Sequence, residues 1–162
     1  MLIMPFESKL ELPEAAYAAL VGILRQISCR LTGVENAYGY DGDGWGINVD
    51  GAGAECAFAK AANLYWRGFT SDWTLIRQGD IGNIEVKWRG RENYGLPLRE
   101  GDPRDRPYVL VTGKMPTYLI VGWLWGWEIE EKGKEIEAVE GRNTFWVVDD
   151  YDLLHTTWPV DA

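Results

Sequence analysis

The chain's 162 residues suffice for one domain with a buried core, and its 46% hydrophobic and 25% charged residues are ordinary for a globular protein. Taken alone, its net charge of −9 argues against a nucleic-acid partner, because phosphates repel an acidic surface. Two cysteines and one histidine rule out a disulfide scaffold and make a structural zinc site untenable. Residues 1–6 are apolar but too short for a signal peptide, and the longest apolar run, 118–127, is too short to span a membrane as a helix. A cytoplasmic protein with no membrane partner is expected.

In chain order, residues 13–31 form an amphipathic helix. Leu20, Ile23, Leu24, Ile27 and Leu31 recur at three-to-four spacing, Pro13 suits the first turn and Gly33 the stop. Residues 34–51 form a loop rich in Gly and Asp. Its Asp41 and Asp43 lack the closing acid of a calcium loop. A second helix follows over 53–66, with Asp50 available as its cap. Cys29 and Cys56 fall within these helices and are expected as buried, reduced thiols.

The period then changes to two. Residues 73–78 and 84–89 read as a hairpin turning at Gly82-Asn83. Residues 91–107 read as a long loop, 108–112 as a strand, and 117–129 as a central strand apolar on both faces. In that strand Leu119, Val121, Trp123, Trp125 and Trp127 share one face, and Tyr118, Ile120 and Leu124 the other. The tryptophans are expected in core packing rather than as a stacking platform. Residues 130–141 form a charged turn, 144–148 the last strand and 152–155 a short helical turn, with His155 a partnerless surface or packing residue. The fold class is α/β: one central mixed sheet of about four to five strands, flanked by helices.

The chemistry concentrates at Asp80-Ile81-Gly82-Asn83-Ile84-Glu85-Val86-Lys87. Strand alternation places Glu85 and Lys87 on one face and Val86 on the other, with Asp80 across the turn. Hard cations such as Mg²⁺ accept one or two carboxylates, completed by water and phosphate. A lysine beside them can orient a water or stabilise phosphate charge, and it offsets the repulsion of the two acids. Around this segment, residues 77–114 hold eight basic against six acidic side chains, so a basic zone lies within an acidic chain. Taken alone, Glu85 and Lys87 could be an exposed same-face pair and Asp80 a turn residue.

Asp80…Glu85-Val86-Lys87 resembles the signature of the PD-(D/E)XK nuclease superfamily, the restriction-endonuclease-like fold. That superfamily commonly adds a glutamate from the preceding helix, here Glu55 in Gly53-Ala54-Glu55-Cys56-Ala57. The downstream strands are similar to those of small nucleases found in phage genomes, and the resemblance covers residues 51–148. It implies a restriction-endonuclease-like core and a metal-dependent deoxyribonuclease, an endonuclease in the main reading. DNA would be cut through a water activated by Mg²⁺ or Mn²⁺, in the host cytoplasm if the chain is phage-encoded. Asp80 and Glu85 would be metal ligands, Glu55 a ligand or the holder of a ligating water, and Lys87 the catalytic lysine. Arg89, Arg91 and Lys114 are candidate DNA contacts. A homodimer is admitted, since many nucleases of this fold pair to cut both strands. Two departures stand out: Gly79 precedes Asp80 where proline is usual, and the Asp80–Glu85 interval is short. The alternative is a non-catalytic module on a retained nuclease fold, binding nucleic acid or protein.

Overall fold

A computed structural model describes residues 1–33, 44–68, 79–139 and 142–158. The chain begins with two short strands, β1 (Leu2–Ile3) and β2 (Phe6–Lys9), then two helices, α1 (Leu12–Thr32) and α2 (Gly44–Ala62). There follow β3 (Glu85–Arg89), β4 (Leu96–Arg99), β5 (Pro107–Lys114) and β6 (Thr117–Trp125), a short helix α3 (Gly126–Lys132), then β7 (Lys134–Val139), β8 (Arg142–Val148) and β9 (Thr157–Trp158). The expected strand at 73–78 and the aspartates at 41 and 43 lie outside the described residues.

The class is α/β, with a mixed four-stranded sheet in the order β2-β6-β5-β3. β3 runs parallel to β5, and the other two pairings are antiparallel. A second, antiparallel sheet, β4-β8-β7, packs beneath it, and β1 pairs with β9. Two apolar clusters separate three layers. One joins α1 and α2 to the upper face of the main sheet through Ala54, Phe58, Val86, Val109, Val111 and Ile120. The other joins the lower face to the second sheet and α3 through Leu96, Leu98, Leu110, Leu124, Ile129 and Val148. The Leu-Pro-Leu-Arg segment, expected as loop, is the edge strand β4, where proline's missing N–H is tolerated. The expected charged turn at 130–141 is instead the end of α3 and β7.

α1 matches its expected span almost residue for residue, and Gly33 closes it in the left-handed conformation at φ 67°. The expectation fails in which side it buries. Its small residues Ala15, Ala18, Val21 and Gly22 pack inward, whereas Leu20, Ile23, Leu24, Ile27 and Leu31 are exposed. α1 lies against α2, not on the sheet, and α2 is the helix packed on β2, β3, β5 and β6. Covered on two sides, α2 is apolar through Ala52, Ala54, Ala57, Phe58 and Ala59. It starts nine residues earlier than residue 53, because α1 takes up its first turns. Asp50 therefore sits inside the helix and accepts from Met115 N–H at 3.0 Å, instead of capping it.

The α1–α2 contact depends on Gly22. A methyl group there would fall 2.5 Å from the Asn48 carbonyl oxygen and the Val49 Cα, both backbone atoms. Gly22→Ala is expected to lower stability by about 1–3 kcal/mol through forced separation of the helices, read as a lower urea midpoint at unchanged slope.

β6 holds the second revision. Leu110 pairs with Gly122 but Val111 pairs with Ile120, so Val121 is the extra residue of a bulge. The alternation inverts there. Tyr118, Ile120 and Trp123 face the helices, while Leu119, Val121 and Leu124 face the second sheet. Trp123 donates to Thr157 O at 2.9 Å and packs edge-on against Trp125 and Trp158, the expected core role. Trp127 does not share it: the strand ends at Trp125, and Trp127 is exposed on α3. His155, expected without a partner, lies 2.9 Å from Glu128 Oε2 and packs with its ring tilted against Trp123 at 4.8 Å. Burial alone would raise the Glu128 carboxyl, but bonds from Lys132, Trp125 N–H and His155 hold it below the usual carboxylate range. Cys29 and Cys56 are free thiols, partly rather than fully buried, and burial pushes Cys56 up to about 11. Among the described residues no helix is long and apolar enough to cross a membrane.

Candidate active site

A polar cleft of about 400 Å³ opens along β3, which is the outer strand of the main sheet among the described residues. Glu55, Asp80, Glu85 and Lys87 all line it, joined by Arg25, Arg89 and Arg99. Glu55 of α2 thus meets the Asp80–Lys87 segment, some 25 residues further along the chain, in one depression.

Glu85 and Lys87 alternate with Val86 along β3 as expected. Val86 is buried against the helices, and the flanking pair points to the opposite face, toward Tyr108 and Leu110 of β5. Lys87 Nζ lies 3.0 Å from Asp102 Oδ2 and 5.2 Å from the Tyr108 ring centroid. Glu85 Oε1 accepts from Arg106 Nη1 at 2.6 Å. Asp80 lies just before β3, where its Oδ2 accepts from Val86 N–H at 2.8 Å. The tight turn that the short interval demands is present: Ile81 and Ile84 form an antiparallel bridge around Gly82, which has φ 61°. Gly79 also explains itself, since a Cβ there would meet Ile84 backbone at 2.4 Å.

Glu55 reaches the cleft from α2, on the helix side of the sheet. It is buried, and it is not in the first turn, because α2 begins at Gly44. Arg25 of α1 grips it with two parallel hydrogen bonds of 2.6 and 2.8 Å, and Trp66 Nε1 donates to Oε2 at 2.9 Å. Desolvation opposes the Arg25 charge, but the paired glutamate outweighs it and raises the guanidinium.

The site is electrostatically loaded at Asp80. Desolvation comes first, then the negative charges of Glu55 and Glu85. Together they hold its carboxyl well above the usual range, against the Val86 N–H and Lys87, which favour the ionised form. A folded-state value above the unfolded one costs stability that grows between the ordinary carboxylate range and the raised value, is complete above the raised value, and is relieved as pH falls through it toward the ordinary range. Asp80→Asn is therefore expected to stabilise the metal-free protein by about 0.5–2 kcal/mol at neutral pH. The gain, read by chemical denaturation, should shrink on acidification.

The donor set suits a hard cation in a limited way. Among the described residues no three acidic, histidine or cysteine side chains group closely enough to cage an ion. Two carboxylates, Asp80 and Glu85, line the cleft, and one or two carboxylates can hold Mg²⁺ alongside water and phosphate. The Glu55 carboxylate is committed to Arg25 and Trp66, which leaves it a place behind these two. Of the other expected contacts, Arg89 lines the cleft and stacks 4.9 Å from Tyr94. Arg91 lies over the Tyr94 ring at 5.6 Å, and Lys114 is exposed at the β5–β6 turn; neither lines the cleft.

Motif reasoning does not single out Arg25, Asp102 or Trp66, and it places Arg106 in the basic zone of residues 77–114 without pairing it to Glu85. Arg106 sits two residues before Tyr108, whose partner across the parallel ladder is Glu85. That pairing, which no local pattern encodes, is what brings the two charges together. No protein-family model, curated protein or solved structure matches the chain.

Proposed function

We propose that the protein is a metal-dependent nuclease that hydrolyses DNA phosphodiester bonds, on a restriction-endonuclease-like core. The observation that carries this reading is the convergence of Asp80, Glu85, Lys87 and Glu55 on one cleft that arginines also line. Carboxylates alone would repel a phosphate. Lys87, Arg89 and Arg99 along the same wall supply the positive field that a phosphodiester needs.

In this reading Asp80 and Glu85 hold a Mg²⁺ or Mn²⁺ ion. Such an ion supplies an acidified water and neutralises charge on the phosphate. Lys87 lies on the same strand face as Glu85 and donates to the attacked phosphate or to the water near it, stabilising charge that develops there. Asp102 and the Tyr108 ring hold the lysine's ammonium, which limits its rotamers. Glu55, fixed by Arg25, positions the wall of the cleft from the helix side. Arg89 orients the flanking backbone phosphate.

The test is cleavage of labelled duplex, single-stranded and branched DNA with Mg²⁺ or Mn²⁺, wild type against Glu85→Ala. Metal-dependent cutting that disappears in the variant supports the proposal. One observation favours a second reading, a non-catalytic binding module on this fold: Glu55 and Glu85 are each neutralised by an arginine within the chain. Well-folded protein that cuts none of these substrates and takes up no Mn²⁺ by calorimetry would transfer the conclusion to that reading.

A further inference from the structure

Arg89, the last residue of β3, lines the cleft without an opposite charge in contact. Its neighbours are committed: Arg25 to Glu55, Lys87 to Asp102 and Arg106 to Glu85. Among the described residues Arg89 makes no ion pair or hydrogen bond, and its Nε is buried without a partner. The Tyr94 ring, 4.9 Å from the guanidinium, is what holds it. Directly across the β3–β5 ladder, the fully buried Thr112 hydroxyl is unpartnered too. Burial pushes the Arg89 guanidinium below its ordinary range. The charge of Arg99, which also lines the cleft, acts the same way, against Tyr94 and Asp149. Buried polar groups are normally satisfied, and a charged one has most to gain from a partner. An anion entering the cleft supplies that partner.

We infer that Arg89 takes the terminal phosphate monoester of a DNA strand, so that the cleft receives a strand end. This rests on the nuclease reading of the same cleft and names the part of the DNA that enters it. Charge favours a terminus. A monoester carries about 1.5–2 negative charges at neutral pH, and an internal phosphodiester carries one. Arg89 and Arg99 on one wall match the former. Position favours it as well. β3 ends at Arg89, and the turn that follows is tied to the 149–153 turn by the Tyr151 hydroxyl, which donates to the carbonyls of Glu92 and Tyr94. These two turns expose Glu92, Asp149, Asp150 and Asp152, offset only in part by Arg91 and by Lys134, 4.0 Å from Asp149. A strand continuing past Arg89 would lay its next phosphates on a net negative surface. In the other direction Glu85 lies on the same strand face, about 13 Å away at the rise of an extended strand. The cut therefore falls within a few nucleotides of the bound end.

The test is a binding titration of labelled DNA oligonucleotides with the metal-free protein at low ionic strength, where no metal-dependent cleavage intervenes. Oligonucleotides of one sequence carry a 5′-phosphate, a 3′-phosphate or neither. One phosphorylated end should bind at least about tenfold more tightly than the unphosphorylated strand, the scale of a hydrogen bond to a charged group. Which end does so gives the polarity. Arg89→Met keeps an apolar stem against Tyr94 and should erase that ratio, and Arg89→Lys should restore only part of it. Because the ratio compares ligands on one protein, a change in overall affinity does not disturb it. With Mg²⁺, linear DNA should be shortened from its ends while a closed circle of the same sequence stays intact. Equal binding of all three oligonucleotides by the wild type overturns the inference, as does an end preference that survives Arg89→Met. A circle cut as fast as the linear form overturns it too and leaves the nuclease reading standing. An Arg89-dependent end preference without cleavage of any DNA supports the subsite and removes the nuclease reading. Should Arg89→Met not fold, the wild-type titration and the circle carry the test.

Discussion

Lys87→Ala is expected to reduce metal-dependent DNA cleavage by at least about 100–1,000-fold, the scale of losing one charge-stabilising donor in a preorganised site. Binding of DNA should change far less, because Arg89 and Arg99 on the same wall remain. The physical reason is selectivity for the transition state: an ammonium aimed at developing charge gains more there than in the ground state. Single-turnover cleavage beside an equilibrium binding titration separates the two effects. A Lys87→Ala variant that cuts at the wild-type rate would remove the lysine from the mechanism. Lys87→Arg keeps the charge but replaces a compact ammonium with a planar fork. Held between Asp102 and the Tyr108 ring, the larger group is expected to recover only a minor part of the rate.

The second large effect concerns the fold beneath the site. Arg25→Ala should cost about 3–5 kcal/mol, because it strands the buried Glu55 carboxylate with only the Trp66 indole as donor. For a chain of this size that corresponds to a melting temperature lower by about 10 °C. Breaking one partner of a buried pair costs more than replacing both. The double variant Arg25→Met, Glu55→Leu should therefore recover most of the loss while leaving the cleft without its helix-side carboxylate. Thermal denaturation of the two single variants and the double one gives the coupling energy. A coupling near zero would mean that the 2.6 and 2.8 Å contacts contribute nothing to stability.

These two residues mark the boundary of what local pattern can reveal. Lys87 was readable because alternation along five residues puts it beside Glu85 with no knowledge of the rest of the molecule. Arg25 was not, because its role exists only where α1 crosses α2, and nothing around position 25 encodes that crossing. Glu55 is intermediate. Its helix was legible, but not its ion pair, and the nine-residue earlier start of α2 moves it from the first turn to the helix interior.

The same distinction holds for the fold. α1, β5, β8 and the Ile81–Ile84 turn follow from short-range signals: a 3.6-residue period, β-branched runs, and glycines where φ is positive. Position 82 shows this most directly, since a tight turn requires what glycine permits. The α1 stripe shows the limit. Its period correctly specified a helix, but period does not say whether the apolar side meets the sheet, another helix or a second chain. In the monomer the small residues won the inner contact, because Gly22 and Ala18 allow the close backbone approach that leucines forbid. The bulge at Val121 is a further case. A single extra residue inverted the faces of β6, which a strict period of two cannot anticipate. β4 was hidden by its proline, tolerated because the strand lies at an edge.

By itself, then, the sequence determined α1, the later part of α2, the strands β3, β5, β6 and β8 and the acidic-lysine segment, because these depend on neighbours within a few residues. The tertiary structure alone decided that Glu55, Asp80, Glu85 and Lys87 share a cleft and that arginines neutralise two of them. It alone decided, too, that α1 turns its leucines outward. Those outcomes depend on which distant backbones approach closely enough to touch.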